Sequence, residues 1–301
     1  MLRKDVIITM IEKKTIGDRF LDIFIVVSLW FLAIIMVYPM LYELFVSFSA
    51  PADLYRHRGP LLWFLGFDTS AYQIVLSNPL VLSGYKNTLF LLVFGLAISI
   101  FLTALGAYCL SRVNLYWHRL MTVVILITMY FSGGLIPTYL TVRQYGLDNS
   151  LWALILPTAI STYNMIVLRS YFASIPESLV ESVFIDGGNH FTVLFKIFIP
   201  LSLPAMAVMI LYYGVGYWNS WFNANIYLRD QAKFPLQLVL RNILITGSNL
   251  DTGSASVVDY EMMEQSIKAS MVIVSTLPVL AIYPFLQKYF VGGIMVGSLK
   301  G

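Results

Sequence analysis

Ser174-Ile175-Pro176-Glu177-Ser178-Leu179-Val180-Glu181-Ser182-Val183-Phe184-Ile185-Asp186-Gly187-Gly188-Asn189 is a short, polar-flanked island in a chain that is otherwise largely apolar. Ser174 and Glu177 stand at capping-box spacing, which predicts a helix starting there. Pro176 suits a first turn, where its missing N–H is no loss, and Gly187-Gly188 supplies a stop. The helix between them, about 175–187, is too short to cross a bilayer, which takes roughly 20 residues. Leu179, Val180, Val183 and Phe184 gather on one face, with Glu177, Ser178 and Glu181 elsewhere. Such a helix lies along a membrane face with its apolar stripe open to a partner, or rests on lipid or its own bundle. Amphipathicity alone favours the second reading.

Outward from this island the chain reads as an all-α membrane protein. Of its 301 residues, 58% are hydrophobic and 12% charged, whereas a soluble domain carries roughly a quarter charged residues. So much apolar surface has to meet lipid. Six stretches have the length and character of spanning helices: 21–42, 88–110, 117–135, 151–168, 196–217 and 270–290. Ser132-Gly133-Gly134 interrupts the third early. Pro157, Pro204 and Pro278 fall within spans, where a bundle tolerates kinks.

Lysine and arginine set the orientation. With the N-terminus inside, the inner pieces are 1–20, 111–119, 169–196 and 288–301. They hold Arg3, Lys4, Lys13, Lys14, Arg19, Arg112, Arg119, Arg169, Lys196, Lys288 and Lys300, eleven of the 19 basic residues. The predicted organisation is a cytosolic arm over 1–20, a transmembrane domain over 21–290 and a cytosolic tail over 291–301, with both termini cytosolic. The arm mixes acidic and basic residues and leads into an apolar run too long for a signal peptide, so it reads as retained. Two outer loops are long, 43–87 and 218–267, and the second carries a turn-rich tip at Gly247–Ser254. Loops of that length are connectors or partner-binding surfaces.

The spacing in the opening stretch resembles a known signature. Permeases of ATP-binding-cassette (ABC) importers carry a cytosolic Glu-Ala-Ala, three residues, Gly, nine residues, Ile, one residue, Leu-Pro. Here Glu181-Ser182-Val183, Gly187, Ile197 and Ile199-Pro200 stand at those spacings, with Ser182, Val183 and Ile199 departing in identity. The resemblance implies the type I ABC importer permease fold, six transmembrane helices with a cytosolic coupling helix that docks on an ATPase subunit. It assigns ATPase coupling to Glu181, Ser182, Val183, Phe184, Asp186, Gly187, Gly188, Ile197 and Pro200, with Glu181 as polar anchor, Gly187 making the sharp turn and Pro200 marking entry into the fifth span. The tail from Gln287 to Gly301, and Gly216–Ala224 with Pro235-Leu236-Gln237, resemble carbohydrate permeases of the maltose-permease type, closest to the complex-oligosaccharide branch that serves alginate or pectic fragments. The resemblance covers nearly the whole chain beyond the arm. It implies a second homologous permease, two ATPase subunits, an extracytoplasmic solute-binding protein, an oligosaccharide substrate and a bacterial inner membrane with its lipid.

Other chemistries find little support. Gly292 to Gly297 has the glycine spacing of a P-loop, but Ser298 stands where Lys is needed. The expectation is therefore that the chain binds no cofactor itself, with ATP and Mg on partner subunits. Cys109 is the only cysteine, and His57, His118 and His190 are isolated, without metal-ligand spacing. No nucleophile is paired with a base, which argues against a membrane enzyme. The net charge of +3 reads as loop bias and gives no nucleic-acid footprint. The middles of the spans are almost free of ionisable residues, which weakens, without removing, an ion-coupled carrier or channel of six spans. Polar aromatics and amides are candidates for a sugar path: Tyr163, Asn164, Tyr212, Tyr213, Tyr217, Trp218 and Asn219. Taken singly, each of them fits bundle packing or an interfacial aromatic belt at least as well.

Overall fold

The computed structural model describes residues 16–112, 116–246 and 257–298. Most of the predicted arm, the Gly247–Ser254 tip and residues 299–301 of the tail lie outside the described residues. Among the described residues there is no strand, only an isolated antiparallel bridge between Ser49 and Phe67.

The first expected span sits inside α1, Ile16–Ser47. None of its most apolar 18-residue window is buried, as befits a helix whose solvent is lipid. Short helices α2 (Pro51–Arg56) and α3 (Ser70–Ser77) follow. The long α4, Pro79–Ser111, begins nine residues before the expected second span and is wound as a π-helix over Leu91–Gly95. Its first turn is set by Asn78, whose side chain accepts from Leu80 N–H, with Pro79 at the tolerated position.

The third expected span, 117–135, holds α5 (His118–Tyr130), and the chain continues beyond it into α6 (Leu135–Gln144), bent by 110° from α5. The break falls on Ser132-Gly133-Gly134, where Gly134 takes φ +86°. The fourth, expected as one helix over 151–168, is corrected by the structure. It is a short α7 (Trp152–Ile155), a 3-10 turn at Leu156–Thr158, then α8, Thr162–Ala173. Pro157 takes no part in the backbone ladder as a donor, and Thr158 Oγ1 donates to the Leu154 carbonyl at 2.7 Å.

Helix α9 spans Ser178–Ile185. The chain then forms α10, His190–Leu201, and α11, Leu203–Trp218, bent by 86°. Pro200 lacks an N–H, and the turn before it, Leu194–Phe198, is a π-helix. The bend itself lies two residues beyond, at Ser202, so the elbow is Ser202 rather than Pro200. Helices α12 (Trp221–Tyr227) and α13 (Leu236–Thr246) fill the expected outer loop. The last, α14, runs over Val257–Ser298, extending the sixth expected span at both ends and carrying the predicted tail as helix to Ser298. Among the described residues, three helices are long and apolar enough to cross a membrane, Ile16–Ser47, Pro79–Ser111 and Met263–Ile282 within α14; counting each bent pair as one makes up to five.

Small polar side chains clasp the bundle. Asn87 donates to the carbonyls of Ala232 and Phe234 at 2.8 and 3.1 Å, and Thr88 accepts from Leu236 N–H at 2.9 Å. Ser99 and Thr103 bond the hydroxyls of Tyr217 and Tyr213 at 2.8 and 2.7 Å. In an apolar interior each such pair contributes about 0.6 kcal/mol, and up to about 2.

Candidate functional site

Two features stand out, and α8 and α11 contribute to both. The first is a cavity of about 840 Å³, within the roughly 300–1,000 Å³ range of ligand pockets. Helix α8 contributes Tyr163 and Asn164. Helix α11 contributes Tyr212, Tyr213 and Tyr217, with Asn219 just beyond its end. Six of the seven sugar-path candidates thus share one wall system. The seventh, Trp218, is absent from that lining; it is buried with Ala71, Val75, Leu236 and Met271.

The six do not present alike. Tyr213 is buried, and its hydroxyl accepts from Ser161 N–H at 2.8 Å while bonding Thr103. Tyr217 is buried and held by Ser99. These two form the frame. Tyr163 and Tyr212 are 52% and 46% exposed, with ring centroids 6.4 Å apart, and they are the rings a ligand can reach. Ser161 caps α8, its hydroxyl accepting from Asn164 N–H at 3.4 Å, which fixes where Asn164 enters the wall. Sequence reading does not single out Thr158, Ser161, Phe222 or Asn223, which also line the cavity; Pro157 was the available hint that the chain turns inward there. Beside the cavity, Phe222 packs edge-on against Trp221 at 5.6 Å, and the Arg241 guanidinium lies 4.7 Å over Trp221.

The second feature is the underside of α9. The expected capping box is not formed. Ser174 instead closes α8, its hydroxyl donating to the Tyr171 carbonyl at 2.8 Å, and α9 begins four residues later with Glu177 at its N-cap position. The predicted stop is present in full. Gly188 N–H reaches the Val183 carbonyl at 2.8 Å and Gly187 N–H reaches Phe184 at 3.0 Å, the paired bonds of a Schellman cap. Gly187 takes φ +80° with nothing near an added Cβ, so its requirement is backbone conformation. Steric obstruction, expected at Gly187, belongs to Gly188, where a Cβ would sit 2.5 Å from Val183 Cγ1 and 2.9 Å from its carbonyl oxygen. Gly187→Val is therefore expected to cost about 2 kcal/mol and Gly187→Asn about half that, asparagine tolerating the left-handed region; thermal melting of the purified chain measures both. Asn189 then starts α10, its side-chain oxygen accepting from Thr192 N–H at 2.9 Å.

The apolar residues of α9 divide between two faces. Val180 is buried and Val183 half-buried against a core of Tyr108, Leu168, Phe172, Leu194, Phe198 and Met206, which Ile197 and Ile199 flank. Outward lie Glu181, Ser182 and Ile185, the last 85% exposed. Glu181 makes no ion pair or side-chain hydrogen bond among the described residues. Asp186 and Pro200 are exposed, and Phe184 packs edge-on to His190 at 5.0 Å.

Arg112, which the sequence offered only as one basic loop residue, closes this unit. Its guanidinium lies 4.7 Å from the Phe198 ring and 5.5 Å from the Tyr108 ring, and Nη1 is 3.9 Å from Glu177 Oε1. The ring contacts contribute about 0.5–2 kcal/mol; the ion pair, with Glu177 66% exposed, about 1 at most. Nearby, the Leu110 carbonyl at the end of α4 accepts from Arg169 Nε and His118 Nε2, each at 2.9 Å, and the Arg169 cation stands where a helix C-terminus favours it. Tyr108 OH bonds His190 Nδ1 at 2.8 Å.

Helices α8 and α11 each run from the cavity to this core, and α4 runs to it from Ser99 and Thr103, which hold the cavity tyrosines Tyr217 and Tyr213. Thr103 and Arg112 are nine residues apart on α4, roughly 14 Å of helix rise. Tyr163 and Phe172 are likewise nine apart on α8, as the cavity-lining Tyr212 is six beyond Met206 on α11.

No family model matches the chain. It is 41% identical over 289 residues, 94% of this chain and 99% of the relative, to the polygalacturonan/rhamnogalacturonan transport system permease protein YtcP of Bacillus subtilis (strain 168). It is 38% identical over 287 residues, 95% of this chain and 97% of the relative, to Protein LplC of the same organism. Among solved structures it superposes with a TM-score of 0.84 and 32% identity, over 92% of this chain and 98% of the other, on a bacterial ABC transporter involved in the import of the acidic polysaccharide alginate. A bacterial alginate ABC transporter in complex with an alginate pentasaccharide-bound periplasmic protein matches at a TM-score of 0.55 and 16% identity, over 90% and 93%, a likeness of fold alone.

Proposed function

The chain belongs to the oligosaccharide permease subunits of ABC importers, and from that membership we propose that it forms one half of an importer's pore, taking up acidic oligosaccharides of the alginate or pectin type. It is a non-catalytic, multi-pass subunit of the bacterial cytoplasmic membrane. A second homologous permease completes the pore, two ATPase subunits supply ATP and Mg and the energy of hydrolysis, and an extracytoplasmic binding protein delivers the sugar. The chain crosses six times, with 151–173 as a broken fourth span, and both termini and α9 are cytosolic. The bias of lysine and arginine toward the α9 side supports this orientation. An ion-coupled carrier or channel is not favoured.

One observation carries the reading. Helices α8 and α11, which line the cavity, also contribute to the core on which Val180 of α9 packs, so a displacement of α9 reaches the cavity through close-packed elements. In the cavity, Tyr163 and Tyr212 stack on sugar rings, while Asn164 and Asn219 bond hydroxyls. The outward face of α9, Glu181 with Ile185, meets the ATPase. The test is uptake of oligouronates into proteoliposomes holding the two permeases and the ATPases, with binding protein outside and ATP inside. Tyr163→Ala or Tyr212→Ala is expected to raise the half-saturating sugar concentration about 2–10-fold, the worth of one aromatic contact, with basal ATP hydrolysis unchanged. Uptake by this chain alone without ATP overturns the proposal.

A further inference from the structure

We propose that Arg112 is the positioning residue that brings α4 into the coupling stroke, by clamping its cytosolic end to both α9 and α10. The inference rests on the reading of α9 as the coupling helix.

Helix α9 is joined through the chain to α8, by residues 174–177, and to α10, by residues 186–189. Those two helices follow it by covalent connection. Helix α4 has no such connection; Arg112 and Ser178 are 66 residues apart. Yet α4 carries Ser99 and Thr103, whose hydroxyls hold Tyr217 and Tyr213 in the cavity frame. For the cavity to change shape as a unit, α4 has to move with its neighbours.

Arg112 is placed to enforce that. It stands at the C-cap of α4, its side chain 16% exposed. Its guanidinium touches the Phe198 ring of α10 and lies within ion-pair reach of Glu177 at the start of α9. Arg169 and His118 also hold the end of α4, through the Leu110 carbonyl, but to α8 and α5. Among these three side chains Arg112 alone reaches α9 and α10 together. Its Nε is buried without a hydrogen-bond partner among the described residues. A residue kept for stability alone is poorly served by a buried cation with an unpaired donor, where an apolar side chain of similar volume does as well or better. Because Glu177 is mostly exposed, the contact over the Phe198 ring is the main grip.

The test uses the full complex of both permeases, ATPases and binding protein, reading ATPase co-purification, ATP hydrolysis and sugar imported per ATP. Arg112→Leu keeps the apolar stem and removes the cation. Expected is normal co-purification, hydrolysis within about twofold of wild type, and import per ATP reduced about tenfold, within the range for residues that couple distant elements. Arg112→Lys is expected to fall about threefold, since a compact, strongly hydrated ammonium keeps less of the ring contact than a guanidinium. Glu177→Gln is expected to stay within about twofold. Wild-type import per ATP in Arg112→Leu overturns the proposal. If Arg112→Leu fails to reach the membrane, unchanged import per ATP in Arg112→Lys overturns it instead. Loss of ATPase binding in both variants also overturns it, by making Arg112 part of the docking structure. Failure of the α9 reading is seen separately, as ATPase retained by variants of the outward α9 face.

Discussion

Ile185→Asp is expected to leave the chain folded and inserted while lowering ATPase co-purification at least about 30-fold. Ile185 is 85% exposed in the last turn of α9. Exposed substitutions of this kind usually change stability by no more than about 0.5 kcal/mol. If the outward face of α9 docks as proposed, the isoleucine is covered, which contributes about 1.5–3 kcal/mol, and an aspartate there also places an unpaired charge in the interface. A loss of 2 kcal/mol or more is a factor of about 30 in affinity. Val180→Asp provides the contrast, since Val180 is 4% exposed in the inner core; that variant should fail to fold rather than fail to dock. Affinity capture from detergent-solubilised membranes, with ATP-dependent uptake alongside, separates the two. Full ATPase recovery with Ile185→Asp would show that the outward face of α9 meets nothing.

The second large effect is expected from Gly95→Leu. A Cβ at Gly95 would lie 2.7 Å from two atoms of the Tyr217 ring. That ring cannot retreat cheaply, being buried beside Leu91, Ile155 and Tyr213 with its hydroxyl bonded to Ser99. Overpacking costs about 1–3 kcal/mol, and the lost hydroxyl bond adds about 1. A total near 3 kcal/mol corresponds to a fall in melting temperature of roughly 6–12 °C. Tyr217→Phe, which removes only the bond, should cost about 1 kcal/mol. Gly95→Ala combined with Tyr217→Leu should recover much of the loss by reopening the space. A melting temperature within 2 °C or so of wild type for Gly95→Leu would mean that α4 and α11 are not held at this contact.

How much was legible differs from residue to residue, for physical reasons. The end of α9 could be read because Gly187 answers a local demand, a left-handed residue after a helix. Its start could not, because Ser174 suits two local roles, capping α9 or closing α8, and the choice depends on where α8 ends. Tyr212 and Tyr213 are neighbours in sequence about 100° apart around α11. One faces the cavity and the other bonds Thr103, a partner 110 positions away. No local pattern distinguishes them. Trp218 read as a path residue for the same reason, and its burial against Leu236 and Met271 depends on elements far along the chain.

Composition and local patterning by themselves determined that this is a helical membrane protein with a short, glycine-stopped helix between its spans. These follow from sums over many residues and from local backbone rules, which distant neighbours do not alter. Tertiary structure decided the rest. It broke the stretch at Pro157, turned the chain at Ser202, divided the apolar residues of α9 between an inner core and an exposed face, and brought Arg112 onto Phe198. Each depends on contacts between residues tens of positions apart, and hydropathy, which counts residues without regard to their partners, carries no record of them.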